Sequence, residues 1–468
     1  MVTGRLRSDG RAGPAGPTSE LLESLPLVDH HCHGVFSPVV DGGAAAPLQR
    51  PELEAELNEG AGAGPGRSYL DSLLGLALRR WCPPMLDLEE HCSVEDYLAR
   101  RAELGTAEVS RRLLRAAGID TFIVDTGYAA AGLTSPAELA QLAGPADAAG
   151  PAAAAPDAAG PVAAAPVAYE IVRLESLAEQ VVAAGTTAHG FADAVRDELG
   201  RRVAAAGAAP VVGAKSIAAY RVGLRLPGTA PTPGEVTARA GRWLAEVDRT
   251  SRTGPAGTGQ GGHGGHSGQD SQGGPVGAGP AGAGTSSVRC ADAVLSRFLV
   301  QTALESGLPV QFHCGYGDAD LDLDAADPVH LTPLLRATEG LGVPVLLLHA
   351  YPFHRQAGYL AQVFTHVSTD LGLATHNTGA RSAAVLAEAL ELVPFGDFLF
   401  SSDGFGLPEL YLLGSLLFRR ALGSFLDDGI AAGDWSAADG ERVARLVTDA
   451  NARRVYGLPA VSGSGTGR

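Results

Sequence analysis

The chain has 468 residues, 45% of them hydrophobic and 19% charged, a composition typical of a protein that folds around an apolar core. Its formal net charge of −17 at pH 7 repels phosphate backbones and argues against nucleic-acid binding. The sequence has no apolar run long enough for a membrane span, no apolar amino-terminal signal and no CxxC pair among its five cysteines. We therefore expect a cytoplasmic protein with free thiols.

Four segments have a low-complexity composition rich in Gly, Ala, Pro and Ser. We predict disordered tails at residues 1–18 and 459–468, and unstructured inserts at residues 143–166 and 251–286. The rest of residues 19–458 is predicted to form one domain.

Short apolar runs alternate with helical patterns throughout this domain. Eight buried strands separated by helices indicate a parallel sheet closed into a TIM (β/α)₈ barrel, an α/β fold. The predicted strands are Leu27–His31, Thr121–Thr126, Ala168–Leu174, Val211–Ser216, Pro309–His313, Val345–His349, His366–Leu371 and Phe398–Asp403.

The segment after the first strand is longer than one crossover needs. Residues 41–115 contain the helical patterns SYLDSLLGLALRRW and SVEDYLARRAELG. We predict a helical elaboration that lies over the mouth of the barrel.

The first strand ends in the sequence VDHHCH, which places His31 and His33 two residues apart. In an extended strand, residues two apart point the same way, so both imidazoles face one side. Two imidazoles on one face at a barrel mouth form half of a transition-metal site.

Four more strands end in a polar residue after an apolar run. Barrel enzymes place their catalytic groups at these carboxyl ends of strands. The residues are Lys215 in VVGAKS, His313 in VQFHCG, His349 in VLLLHAYP and Asp403 in FLFSSDGFG. Lys215 is also the only lysine of the chain, which suggests a role that needs a primary amine.

This set of motifs resembles the amidohydrolase superfamily. HxH on the first strand, His on the fifth and sixth, and Asp on the eighth match its pattern. The stretches FHCGYGDADLDL, LLLHAYPFHRQAGYL and FSSDGF are similar to the branch whose members are often fused to glutamine-synthetase-like domains.

The resemblance implies a divalent-metal site in which His31, His33 and Asp403 bind the more buried ion. Asp403 is also the implied base toward the attacking water. In a one-metal site, His313 is the fourth ligand and His349 contacts the substrate or hydroxide. In a two-metal site, His313 and His349 bind the second ion, and Lys215, carboxylated by CO₂, bridges the pair. Zinc suits these ligands, as do manganese and iron.

Four residues near the strand ends are candidates for contact with a small-molecule substrate. Arg221 and Tyr220 follow the fourth strand, and Arg221 has the fork geometry that binds a carboxylate. Glu170 and Arg173 interrupt the apolar third strand, so their charges must be paired or line the active-site cavity.

The reaction stays open at this stage. Hydrolysis of an amide-type C–N bond in a small carboxylated compound, such as a γ-glutamyl amide, is the first hypothesis. A metal-dependent decarboxylase and a sugar-acid isomerase are alternatives on the same barrel, because fold does not fix the reaction. Association into a homo-oligomer is also open.

Overall fold

The computed structural model describes residues 16–40, 43–57, 66–127, 132–145, 165–205, 207, 209–252 and 288–459. Most of the predicted tails and inserts lie outside these residues. The first helix begins at Pro17, so it extends two residues into the segment predicted as the first tail.

Seven parallel strands form the main sheet, and each strand pairs with the next one along the chain. This order is that of a TIM barrel and confirms the predicted fold class. The strands are β1 (Val28–Cys32), β2 (Thr121–Asp125), β3 (Val167–Arg173), β4 (Val211–Ser216), β5 (Val310–His313), β6 (Val345–Leu348) and β7 (Val367–Thr369).

An eighth segment, Phe398–Asp403, closes the barrel between β7 and β1. The Leu399 N–H donates to a carbonyl at the end of β7 at 3.0 Å, and the His30 N–H of β1 donates to the Phe400 carbonyl at 3.1 Å. Only one parallel bridge to β7 has regular ladder geometry, so the segment differs from the regular strand that the sequence predicts. The barrel is nevertheless closed at this point by backbone hydrogen bonds.

Helices cover the outside of the barrel and the mouth. The helices before β3 are α1 (Pro17–Ser24), α2 (Arg50–Glu56), α3 (Leu73–Trp81), α4 (Val94–Leu104), α5 (Thr106–Ala117) and α6 (Pro136–Ala143). Between β3 and β6 lie α7 (Leu174–Ala183), α8 (Phe191–Ala204), α9 (Ala218–Arg221), α10 (Pro233–Arg252), α11 (Ala293–Glu305) and α12 (Thr332–Thr338). After β6 lie α13 (His354–Val363), α14 (Ala374–Asn377), α15 (Ser382–Ala389), α16 (Pro408–Ala432), α17 (Ala437–Arg445) and α18 (Asn451–Tyr456). No helix among the described residues is long and apolar enough to cross a bilayer.

The apolar core has three parts, which separate the site from solvent below and at the side. The largest lies between the strands and the outer helices. A second fills the floor of the barrel, where Ile123, Ile171 and Leu346 pack against α18. The third belongs to the predicted helical elaboration, where Leu78 and Leu113 pack against α16. The elaboration is therefore attached to the barrel by its own buried contacts.

A buried ion pair joins this elaboration to α16. Arg101 of α4 contacts Glu409 at the start of α16, and the Tyr97 hydroxyl donates to Glu409 Oε1 at 2.8 Å. Arg101 is 7% exposed and Glu409 is 0% exposed. Removing one partner of such a pair leaves an uncompensated charge in an apolar environment.

We expect Glu409→Gln to lower the free energy of unfolding by about 3–5 kcal/mol, because Arg101 would keep its charge without a partner. Urea denaturation followed by circular dichroism measures this change. The double variant Arg101→Met with Glu409→Leu should recover most of the loss, since it removes both charges. A single variant as stable as the wild type would contradict this role of the pair.

An acidic residue in the elaboration makes the stability of the fold depend on pH. Glu56, the last residue of α2, lies beside Gly406, where an added Cβ would be 3.3 Å from Glu56 Oε2. Partial burial raises the pKa of Glu56 from 4.5 to about 7. The folded chain thus keeps a proton that the unfolded chain releases, and stability falls as pH rises from about 4.5 to about 7.

Glu56→Gln should therefore stabilise the protein at pH 8 and change little below about pH 4.5. The expected gain at pH 8 is on the order of 1 kcal/mol, because a partly exposed carboxylate keeps some of its hydration. Denaturation curves at both pH values test this, with the exposed Glu89→Gln as the matched control. A pH-independent difference between Glu56→Gln and the wild type would contradict the assignment.

Candidate active site

Six polar side chains that the sequence places at strand ends lie together at the carboxyl end of the barrel. All six side chains are buried or nearly so, and the most accessible is Asp403, whose side chain is 11% exposed. They are His31 and His33 at the end of β1, Lys215 in β4, His313 in β5, His349 after β6, and Asp403 after the closing segment.

The Asp403 carboxylate lies between three imidazoles. Its Oδ1 atom is 3.2 Å from His31 Nε2 and 3.6 Å from His33 Nε2. Its Oδ2 atom is 3.1 Å from His349 Nδ1. The Asp403 N–H also donates to the His31 carbonyl at 3.0 Å, so the backbone holds the carboxylate against β1. One carboxylate thus faces nitrogen atoms from two different strand ends.

A second pair of imidazoles extends this cluster toward β5. His313 Nδ1 and His349 Nε2 are 2.7 Å apart, and the two ring centroids are 4.5 Å apart. The Tyr220 ring lies 4.6 Å from the His313 ring, as expected for a residue at the barrel mouth. Gly317 leaves no room for a Cβ beside the Tyr220 hydroxyl, which explains a glycine there.

Lys215 contacts the same His31 nitrogen that faces Asp403. Its Nζ is 2.8 Å from His31 Nε2 and 3.6 Å from Asp125 Oδ2. Burial lowers the pKa of Lys215, while the negative charges of Asp125 and Asp403 oppose that shift. The amine is therefore positioned among candidate ligands rather than in solvent.

Asp125, the last residue of β2, connects Lys215 to Arg173. Arg173 donates to Asp125 Oδ2 from Nε at 3.1 Å and from Nη2 at 2.6 Å. Burial opposes ionisation of Asp125, but the charges of Arg173 and Lys215 hold its pKa below the usual value. Asp125 also has a carboxylate oxygen close enough to His31 and His33 for the three to share one ion.

Backbone strain is concentrated at two of these residues. His349 has φ 39° and Asp403 has φ 50°, both in the left-handed region that residues with a Cβ rarely adopt. Such conformations persist where the surrounding structure determines them, and they are frequent at functional sites. The turn directly after each strand aims the side chain back over the barrel.

The charge states of these histidines and of Asp403 are those that bind a metal ion. Burial lowers the pKa of His31 to about 4 and of His313 to about 3, and it lowers the pKa of His349 well below its usual value. Burial would raise the pKa of Asp403, but the neighbouring His349 and His31 hold it well below the usual range. The site therefore presents neutral imidazoles and an ionised carboxylate near pH 7, the forms that bind metal.

A buried nitrogen supports the same conclusion. His349 Nδ1 makes no hydrogen bond within the described residues, although Asp403 Oδ2 is 3.1 Å away. A buried polar atom without a partner is costly, and a cation between nitrogen and carboxylate would satisfy both. Nitrogen and oxygen donors of this kind suit a divalent transition metal.

Two predicted substrate residues lie away from this cluster. Glu170 accepts a hydrogen bond from the Thr126 hydroxyl at 2.7 Å and lies 3.6 Å from Arg202 of α8, on the helix side of β3. Neighbours in a strand face opposite sides, so β3 points Ile171 and Arg173 inward and Glu170 outward. The structure therefore does not bring Glu170 to the cluster, and its contact with substrate stays a prediction.

Arg221 also points away from the mouth. The short helix α9 turns its guanidinium toward α7, where Nη2 donates to Glu179 Oε1 at 3.2 Å. Glu179 also accepts the Cys290 N–H at 2.9 Å. The Arg221 charge thus has a partner between α9 and α7, and its role as a carboxylate clamp stays a prediction.

Three acidic or imidazole side chains near the cluster were not among the predicted ligands, catalytic residues or substrate contacts. Asp125 is the last residue of β2 and Asp370 directly follows β7, so both carry the strand-end signal that identified Lys215 and His313. His376 of α14 is buried close enough for the Asp403 charge to act on its pKa, which burial lowers to about 4. No strand-end signal marks His376, because it lies on a helix.

Known proteins resemble this chain in sequence. Residues 261–458 match the family described as amidohydrolase (Amidohydro_2). Protein fluG of Emericella nidulans is 34% identical over 188 residues, which make up 38% of this chain and 21% of fluG. The chain therefore spans about a fifth of the length of that curated relative.

Solved structures resemble it in fold. A protein from Lactobacillus casei ATCC 334, considered a metal-dependent hydrolase, has a TM-score of 0.69 at 23% identity, covering 95% of this chain and 98% of its own. A uronate isomerase from Bacillus halodurans C-125 has a TM-score of 0.51 at 14% identity, covering 94% and 96%. A glucuronate isomerase from Caulobacter crescentus has a TM-score of 0.52 at 13% identity, covering 95% and 94%.

These matches agree with the strand-end residues and with the observed barrel. The sequence match covers the carboxyl-terminal half of the barrel, which holds His313, His349 and Asp403, and the fold match covers nearly the whole chain. The chain is a TIM barrel whose carboxyl-terminal part, residues 261–458, is similar to the amidohydrolase family.

Proposed function

We propose that this protein is a metal-dependent hydrolase that cleaves an amide-type C–N bond in a small carboxylated substrate. The observation that carries the proposal is the Asp403 carboxylate, ionised and 3.1–3.6 Å from nitrogen atoms of His31, His33 and His349. This arrangement combines a metal-binding set with a base in one place. Hydrolysis by activated water needs both.

His31, His33 and Asp403 would hold the ion in this proposal. A divalent ion bound there lowers the pKa of water to about 7 and so supplies a nucleophile at neutral pH. Zinc is the proposed metal, and manganese or iron has compatible ligand preferences.

The protein's own groups would move the protons. Asp403 is ionised, so it can accept a proton from the attacking water and then deliver it to the leaving nitrogen. His349 contacts the other oxygen of this carboxylate, Oδ2, and can hydrogen-bond the substrate carbonyl. In this assignment Asp403 and His349 are the catalytic residues.

Two residues at the mouth remain proposed substrate contacts. The Tyr220 ring lies beside His313 at a tilt of 52°, and its hydroxyl is directed toward Gly317. Arg173 lies at the end of β3 and orients Asp125 through two hydrogen bonds. The resemblance to the branch fused to glutamine-synthetase-like domains favours a γ-glutamyl amide as the substrate.

The competing reactions are decarboxylation and isomerisation of a sugar acid. The uronate isomerases share the fold at 13–14% identity, which leaves the reaction open. Hydrolysis of γ-glutamyl amides releases an amine or ammonia, decarboxylation releases CO₂, and isomerisation converts a uronate into a keto acid. Product analysis with these three substrate classes therefore separates the hypotheses, and activity with aromatic acids or uronates alone would contradict ours.

Location and association are further parts of the proposal. All five cysteines are unpaired and four are buried, as in proteins of a reducing compartment, which supports the cytoplasm. A homo-oligomer stays open and is tested by light scattering.

We expect Asp403→Asn to lower kcat/KM for amide hydrolysis by about 10²–10⁴-fold, because the amide cannot act as the base. Metal bound per chain should also fall, since the shared ligand loses its charge. Steady-state kinetics and elemental analysis measure the two effects. Asp320→Asn, an exposed aspartate in the loop after β5, is the control and should behave as the wild type. Full activity of Asp403→Asn would reject the proposed base.

The number of ions is tested at Lys215. His313 Nδ1 and His349 Nε2 lie 2.7 Å apart, and in a two-metal site both would bind the second ion with a carboxylated Lys215 as the bridge. Two metal equivalents in the wild type that fall to one or none in Lys215→Ala would establish this two-metal site. One equivalent in both proteins would instead show that Lys215 is a polar neighbour of a one-metal site.

A further inference from the structure

Asp370 follows β7 directly and has no part in the proposed proton transfers. It is 1% exposed, and both carboxylate oxygens accept hydrogen bonds. Oδ1 accepts the His349 N–H at 2.5 Å. Oδ2 accepts a hydrogen bond from His30 Nε2 at 2.8 Å and another from the Ser401 hydroxyl. The buried charge is therefore compensated by three donors.

These donors lie on the three segments that carry the proposed ligands. His30 immediately precedes His31 on β1, His349 is itself in the cluster, and Ser401 lies two residues before Asp403 on the closing segment. Among the hydrogen bonds of the described residues, those to Asp370 thus join β1, the end of β6 and the closing segment at one carboxylate.

A directional network fixes Asp370 as the acceptor. Gln311 Nε2 donates to the Tyr456 hydroxyl at 2.7 Å, so the Tyr456 O–H is left to donate to His30 Nδ1, 3.0 Å away. His30 then carries its proton on Nε2 and donates it to Asp370. The Gln311 amide also donates to the His30 carbonyl at 2.8 Å. Hydrogen bonds from Gln311 and Tyr456 therefore fix the orientation of His30.

The hydrogen bond to His349 coincides with strained backbone. His349 has φ 39°, a conformation that needs support from its surroundings, and its N–H points at Asp370 rather than at a neighbouring strand. The His349 turn packs closely against Gly372, since a Cβ added at Gly372 would lie 2.7 Å from His349 Cβ.

We propose that Asp370 is a positioning residue of the metal centre, which sets the relative placement of His31, His349 and Asp403 from beneath. This inference rests on the proposed function, because it assigns Asp370 a role toward the metal. Groups that orient metal ligands through hydrogen bonds change metal affinity by about 10–100-fold when they are removed.

The test is metal binding by Asp370→Asn in the full chain, without substrate. The amide must turn an N–H₂ group toward one set of donors, which breaks the hydrogen bonds at His349 or those at His30 and Ser401. We expect the dissociation constant for Co²⁺ to rise about 10–100-fold. The visible absorption spectrum of the Co²⁺ protein should also change, because it reports the geometry of the ligands. A loss of stability alone would leave that spectrum unchanged.

Two controls keep the test decisive. Asp397→Asn removes a half-buried carboxylate just before the closing segment and should leave both the affinity and the spectrum unchanged. Ser401→Ala removes one donor and leaves the Asp370 charge, so it should weaken Co²⁺ binding less, in the same direction. If Asp370→Asn does not fold, an unchanged affinity and spectrum in Ser401→Ala overturn the proposal.

The outcomes also separate this inference from the proposed function. A wild-type protein that binds no Co²⁺ or Zn²⁺ would contradict the metal-dependent function itself. A wild type that binds metal, with an Asp370→Asn variant of equal affinity and identical spectrum, would overturn only the role of Asp370.

Discussion

The contact on which the site depends is that between one ionised carboxylate and imidazoles from two strand ends. Asp403 reaches His31, His33 and His349 because the closing segment ends in a left-handed residue hydrogen-bonded to β1. A buried carboxylate is costly unless neighbouring polar groups or a cation compensate its charge. The same segment therefore closes the barrel and places the Asp403 carboxylate among the imidazoles.

Much of this arrangement could be predicted from the sequence. The barrel followed from eight apolar runs separated by helical patterns, and the rule that strand ends carry function placed His313, Lys215 and Asp403 at one rim. These signals are local: a strand alternates every second residue, and its carboxyl end is visible as the end of an apolar run. His31 and His33 were identified by the same alternation.

Other features depend on three-dimensional contacts that no local pattern encodes. Glu170 lies on the helix side of the sheet because the phase of β3 relative to the barrel axis is set by the neighbouring strands. The contact of Arg221 with Glu179 likewise forms only when α9 packs against α7. Asp125 and Asp370 both lie at strand ends, but their roles depend on hydrogen-bond partners that are distant in sequence.

The central claim is that these side chains hold a metal ion, and anomalous diffraction from crystals of the Zn²⁺-loaded protein tests it most directly. The account predicts an anomalous peak at the barrel mouth, about 2.0–2.2 Å from ligand atoms of His31, His33 and Asp403. A fully loaded protein with its anomalous peak elsewhere, or with these three side chains outside bonding distance of the ion, would contradict it.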